Sequence, residues 1–353
     1  MVTKNLFLVN TRFHLLIAQS IATKNNLTDL CLITTDESLL TDEYLYDSNL
    51  WTDSIYIKKI KFSSPRSILN FFRKLRTINT IESVNLFWGN DYQIENQLIS
   101  NCFVLDEVTL FDDGIATYLS NKGNEKALVK KVLEFCVFGL FKRFLKNRIG
   151  IGHYPNDYHF SLYPNLIPNT PNCKVVEFNV SIPNTLKDHT NDVLKQLNIC
   201  SDSIFFLTQP ITEYGVMSSE KENTLIKRLI GNINTSSKIM VIKAHPSESA
   251  ARHLERVNII KALFDGLVVS CSELNRIPIE AFVDVDFKCT FLSLYSTALI
   301  NLKIMNKSHR CISGLCKTDI GLLNSLDEII EIFTKFSIEP LYIQHQNSQA
   351  TCS

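Results

Sequence analysis

The sequence predicts an α/β protein of two domains, each a parallel sheet wrapped by helices. Three observations carry that prediction. Short apolar runs rich in Val, Ile and Phe alternate with longer amphipathic stretches, the pattern of strands buried on both faces. The 353 residues exceed what one hydrophobic core comfortably serves. A loop-rich zone, 147–184, holds five of the ten prolines, after which the α/β rhythm resumes. The expected domains are 1–180 and 181–353.

The apolar runs predict strands over 5–9, 30–34, 54–58, 84–88, 102–105 and 108–111 in the first half, with helices over 13–22, 67–75 and 92–99. In the second half they predict strands over 203–207, 238–243, 266–270 and 282–287, with helices over 221–230, 250–264 and 326–336. Ligands of open parallel sheets bind outside the carboxyl ends of the strands, so chemistry is expected just after these runs.

Composition narrows the function. Thirty-six basic residues balance 36 acidic ones, which argues against a dedicated nucleic-acid binder. Ten cysteines without a C-x-x-C pair offer no zinc framework and read as reduced thiols of a cytoplasmic protein. No stretch reaches the roughly 18 uninterrupted apolar residues of a membrane span. A G-x-G-x-x-G motif and a G-x-x-x-x-G-K-[ST] loop are both missing, so dinucleotide binding and ATP hydrolysis lose support.

Three motifs fall at predicted strand ends. The first is Asp112-Asp113-Gly114 after an apolar run. A desolvated carboxylate there can take a proton from a sugar hydroxyl, although Asp and Gly are also ordinary turn residues. The second is His245-Pro246, closing Ile239-Met240-Val241-Ile242-Lys243-Ala244. This histidine can donate a proton to a departing phosphate oxygen, Pro246 restricts it to extended backbone, and Lys243 falls on the same side of an extended strand. The third is Ser296-Thr297, opening an apolar helical stretch through Met305. Hydroxyls and free N–H groups at a helix start suit a phosphate, while plain N-capping explains the serine equally well.

Two weaker candidates accompany them. Glu280, after a proline turn, could accept from ribose hydroxyls, and Thr208-Gln209 ends another predicted strand. Asp284-Val285-Asp286 has the D-x-D spacing of metal-holding glycosyltransferases, but its place within the apolar pattern at 282–287 speaks against a metal role.

Taken in order, Asp112-Asp113-Gly114, His245-Pro246 and Ser296-Thr297 resemble the D/E-D/E-G, H-P and S-S/T motifs of bacterial GT-B sialyltransferases, 133 positions separating Asp112 from His245. Leu8-Val9-Asn10-Thr11-Arg12-Phe13 also looks like the opening of those families, with Arg12 in place of the usual proline. The chain resembles glycosyltransferase family 52 or the related capsular polysialyltransferases. The resemblance implies two Rossmann-like domains facing a central cleft, with an acceptor-side N-terminal domain and a CMP-binding C-terminal domain. It implies inverting transfer of sialic acid from CMP-sialic acid to a glycan hydroxyl, without metal or other cofactor. Asp112 would be the base, with Asp113 as its alternative, and His245 the acid. Gly114 and Pro246 belong to the motifs; Lys243, Ser296 and Thr297 would hold phosphate or cytidine, Glu280 the ribose, and Thr208 and Gln209 the rim of the cleft.

The stretch 127–148, apolar with six basic residues and one acid, could lie on an anionic inner leaflet where lipid-linked acceptors wait, or form a buried helix with a solvated basic end. The rival functions are a GT-B enzyme using CMP-Kdo or a UDP-sugar, and a non-catalytic glycan-binding relative.

Overall fold

The computed structural model describes residues 4–61, 63–78, 83–91, 93–112, 118, 156–167, 173–233, 236–285, 287–314 and 326–340. The chain divides into two compact units, Met1–Thr185 and Leu186–Ser353, where the sequence reading placed the break between 180 and 181. Both units are α/β and Rossmann-like.

In the first unit β1 (Lys4–Val9), β2 (Leu30–Thr34), β3 (Asp53–Tyr56), β4 (Ser83–Trp88), β5 (Val104–Phe111), β6 (Tyr158–Ser161) and β7 (Lys174–Glu177) form one sheet in the order β3-β2-β1-β4-β5-β6-β7. Every pairing in it is parallel. The central strands are apolar on both faces because helices cover both. In β1 the successive residues Leu6, Phe7, Leu8 and Val9 are all buried, and on one face the Phe7 ring stacks on Phe87 at 4.4 Å and meets Trp51 edge-on at 5.4 Å. Helix α1 (Arg12–Lys24) follows β1 directly, its start capped by the Thr11 hydroxyl accepting from His14 N–H. Helix α2 (Pro65–Ile78) carries Phe71, Phe72, Leu75 and Ile78 inward on one stripe.

The second unit repeats the plan. Strands β8 (Ile204–Leu207), β9 (Ile239–Lys243), β10 (Leu267–Val269), β11 (Thr290–Ser293), β12 (Arg310–Ser313) and β13 (Glu339–Pro340) form a parallel sheet in the order β10-β9-β8-β11-β12-β13. In each sheet the first strand sits centrally and the order reverses beside it, between β1 and β4 and between β8 and β11. Such reversals open a crevice at the carboxyl ends of the strands.

Several sequence expectations change. The two short strands expected over 102–105 and 108–111 are one strand, β5, with a bulge between Leu105 and Val108 opposite Val84 and Leu86. The strand expected over 282–287 is absent; Ile279–Asp284 is a 3-10 helix begun by Pro278. Its Phe282 packs against Phe205 at 5.2 Å, and Phe205 against Phe291 at 5.1 Å, so the apolar run buries as a helical turn. β6 and β7 fall inside the zone read as loops. The helix expected to begin at 92 begins at Ile94, and the stretch 127–148 lies outside the described residues.

Among the described residues the seven cysteines are free, no helix is long and apolar enough to cross a membrane, and no cluster of three potential metal ligands occurs.

Gly266 admits β10 beside β9: a Cβ there would stand 2.5 Å from the Lys238 carbonyl oxygen, while the next N–H, of Leu267, bonds that same oxygen at 2.8 Å. Gly266→Ala is expected to destabilise the second unit by about 2 kcal/mol, read as a lowered urea midpoint at unchanged m-value.

Candidate active site

In the second unit the polar residues gather at the carboxyl ends of β8, β9 and β11. Thr208 N–H extends the ladder to the Lys243 carbonyl at 3.0 Å. Its hydroxyl then accepts from His245 N–H at 3.1 Å and donates to Glu248 Oε2 in a very short contact. Across the reversal point, Tyr295 N–H after β11 donates 2.9 Å to Gln209 Oε1 after β8. Gln209 therefore fastens the two sides of the crevice together.

His245 stands at the end of this ladder, followed by exposed Pro246. Ser247 N–H donates to its Nδ1 at 3.1 Å. An Nδ1 that accepts must be unprotonated, so the neutral ring carries its proton on Nε2. Nε2 makes no hydrogen bond to the described residues and is available to a ligand. Burial and the nearby Lys243 ammonium push the ring's pKa below its ordinary value, against an opposing pull from Glu248 and Glu213. In the ligand-free protein His245 is accordingly neutral at pH 7.

The loop carrying His245 is held from beneath by a charge cluster. Glu248, whose side chain has no exposed surface, accepts from His245 N–H at 3.2 Å and pairs closely with Arg256. Arg256, also fully buried, further contacts Glu222 at 2.7 Å and Glu213 at 3.3 Å. Arg252, one turn earlier on the helix Ala250–Lys261, binds Glu222 at 2.7 Å and Glu255 at 2.6 Å. Burial works to raise the Glu248 pKa, but hydrogen bonds from His253, Thr208 and Arg256 outweigh it and hold this carboxyl below its ordinary value. The cluster joins the loop after β8, the loop after β9 and two helices around His245.

Of the remaining predicted residues of this unit, Ser296 and Thr297 directly follow Tyr295, the partner of Gln209, while Lys243 and Glu280 are engaged elsewhere. Ser296 and Thr297 precede the helix Ala298–Met305, with Ser296 Oγ accepting from Ala298 N–H at 3.3 Å. Lys243 is 8% exposed and its ammonium donates to the carbonyls of Leu274 at 2.9 Å and Asn275 at 3.4 Å, which ties down a neighbouring helical turn. Glu280 is a core acid, 4% exposed, accepting from Asn301 Nδ2 at 2.9 Å, with burial raising its pKa.

In the first unit Asp112 directly follows β5 and is 1% exposed. Its Oδ2 accepts from Leu162 N–H at 2.6 Å and, more closely, from the Tyr118 hydroxyl. Its Oδ1 faces His159 Nε2 at 3.3 Å on β6. Tyr118 is held protonated, its pKa driven far up first by burial and then by the Asp112 charge. Gly89, directly after β4, leaves space for the His14 ring, which a Cβ would approach to 2.7 Å; the same ring meets Phe111 edge-on at 5.6 Å. Asp113 and Gly114 lie outside the described residues.

Sequence reading missed Arg256, Arg252, Glu222 and Glu213, and on the other sheet His159, Tyr118 and Ser161. One signal was present: Arg252 and Arg256 share the stripe that Val257 and Ile260 continue, which places two arginines on a buried helix face.

Residues 5–314 match the profile of the alpha-2,8-polysialyltransferase family. No curated protein matches. Among solved structures, a crystal structure of UDP-N-acetylglucosamine 2-epimerase aligns at 12% identity with a TM-score of 0.45, over 89% of this chain and 79% of that one.

Removing Glu248 would leave the Arg256 guanidinium buried without one of its partners. Glu248→Ala is expected to cost about 3–5 kcal/mol in chemical denaturation, far more than an exposed pair would. Because the Glu248 pKa is lowered in the fold, its contribution is present above the ordinary value of 4.5 and lost as pH falls below it. The wild type should therefore weaken more steeply on acidification than Glu248→Gln, and equal slopes would contradict this ionisation.

Proposed function

The chain belongs to the alpha-2,8-polysialyltransferase family, and from that premise we propose that it is an inverting, metal-independent sialyltransferase in which His245 receives the phosphate of CMP-sialic acid. The family makes the chain a glycosyltransferase with CMP-sialic acid as donor and a glycan as acceptor. The observation that carries the mechanism is the His245 ring: its tautomer is set by Ser247, its backbone by Thr208 and Glu248, and its Nε2–H is open to a ligand.

In this reading an acceptor hydroxyl oxygen attacks the anomeric carbon of sialic acid while the bond from that carbon to the CMP phosphate oxygen breaks. The electron pair leaves with CMP, and the hydroxyl proton passes to a carboxylate of the acidic pair. His245 Nε2–H donates to the departing phosphate, whose single phosphoryl group demands less neutralisation than a diphosphate. Gln209, Ser296 and Thr297, placed around the reversal point, hold the nucleotide in this reading.

The two acids divide the work at the other motif. Asp112 has one oxygen occupied by Tyr118 and Leu162 and the other facing buried His159, which supports a role in holding its loop. That arrangement favours Asp113 as the base and Asp112 as its anchor.

Two outcomes follow. Asp113→Asn is expected to lower kcat by at least about 100-fold with an unchanged melting temperature, whereas Asp112→Asn lowers the melting temperature as well. The reverse pattern, a stable but inactive Asp112→Asn with active Asp113→Asn, would return the base to Asp112. A phosphate beside the neutral His245 ring favours its protonated form at the expense of the Ser247 N–H bond to Nδ1, so CMP binding near pH 7 is expected to take up a proton. Calorimetry in buffers of different ionisation enthalpy reads that uptake, and its persistence in His245→Ala would remove His245 from the phosphate.

A further inference from the structure

The first unit also holds a polar cavity away from the acidic motif that follows β5. In a chain of zero net charge, residues 54–81 contain seven lysines and arginines and no acid, leaving 29 basic against 36 acidic residues elsewhere. This basic segment runs from the end of β3 into α2 and lines a cavity of about 440 Å³. Lys58, Lys61, Arg66 and Lys74 supply its charge, Ser64 and Ser67 its hydroxyls, and buried Phe71 its apolar lining.

The cavity is built to hold an anion. Among the described residues none of its four exposed cations forms an ion pair, so an anion entering the cavity meets no competing carboxylate. The start of α2 adds its positive dipole end, with Ser64 closing the first turn through Ser67 N–H at 2.9 Å. Lys61 N–H in turn donates to Ser67 Oγ at 2.9 Å, which folds the cationic loop back over the helix start. β3 is the outer strand of its sheet, four strand spacings from β5, so this cavity lies about 19 Å from Asp112 along the same carboxyl edge. It is a separate site.

We propose that this cavity binds a phosphate-bearing anion. A carboxylate offers two oxygens and one charge, whereas a phosphate monoester offers three oxygens and up to two charges, which matches four cations and two hydroxyls. Leu69 points to where such a phosphate is met. It is 51% exposed on α2, with Arg66 three residues before and Arg73 four after on the same helix face. An apolar side chain flanked by cations beside a phosphate cavity suits a lipid headgroup at an anionic surface, and a soluble phosphate compound has the same chemistry.

The test uses the full chain and three probes: inorganic pyrophosphate, phosphatidylcholine vesicles with and without phosphatidic acid, and polyglutamate as a carboxylate polymer. The wild type is expected to bind pyrophosphate, and Lys61→Ala/Arg66→Ala to raise its dissociation constant at least about tenfold. The charge-matched pair Lys227→Ala/Arg228→Ala, on the other unit, should leave it unchanged. Lys74→Glu, a single exposed change, gives a second measurement should the double variant be unstable. Retention on phosphatidic acid vesicles, lost in the same variants, assigns the phosphate to a lipid, and pyrophosphate binding without vesicle retention assigns it to a soluble compound. No binding of either by the wild type, equal weakening by the control pair, or polyglutamate binding as tight as pyrophosphate would overturn the proposal.

Discussion

The guanidinium of Arg256 lies without exposed surface among Glu213, Glu222 and Glu248, and the geometry at His245 depends on that arrangement. A buried cation is tolerable only if its charge and its donors are all met, and here three carboxylates from three segments meet them. Each carboxylate is thereby fixed, and with it the loop that carries it. Glu248 has a second duty, because the oxygen not facing Arg256 accepts from the backbone of His245 and from Thr208. The position of the histidine backbone is thus set by electrostatics in the interior, not by contacts at the rim.

The other sheet shows a related solution with a different charge. Asp112 is an interior carboxyl whose Oδ2 is met by Tyr118 and by the backbone of Leu162, while its Oδ1 faces the neighbouring His159. Each arrangement sits just past the end of a strand, where the ladder stops supplying backbone partners and side chains must take over. Buried polar groups of this kind fix one conformation because few others satisfy them, which is what a site needs from the chain around it.

Much of this was legible from the residues alone. His245 could be found because an apolar strand, Ile239–Lys243, ends in polar residues, and Gln209 because Ile204–Leu207 ends the same way. The reversal point that joins Gln209 to Tyr295 needed the strand order, which no local pattern carries. β6 was hidden for a physical reason: its inward positions are His159 and Ser161, serving Asp112, while Tyr158 and Phe160 are only half-buried. Its apolar alternation is therefore inverted, and hydrophobic periodicity cannot announce it. The run Phe282–Phe287 misled in the opposite sense, since Pro278 opens a 3-10 turn that buries Ala281, Phe282 and Val283 together. Arg256 stayed out of view because its partners are 8, 34 and 43 positions away, although its place on an apolar helix stripe marked it as unusual.

The central claim is that the Glu248-anchored loop presents His245 Nε2–H to the phosphate of the donor. Nitrogen-15 chemical shifts of labelled histidine, assigned by comparison with His245→Gln, test it most directly. The account predicts a neutral ring protonated at Nε2 in the free protein at pH 7, converting to the doubly protonated form, with loss of the Ser247 N–H bond to Nδ1, when CMP is added. A ring protonated at Nδ1, or nitrogen shifts that CMP leaves unmoved, would contradict it.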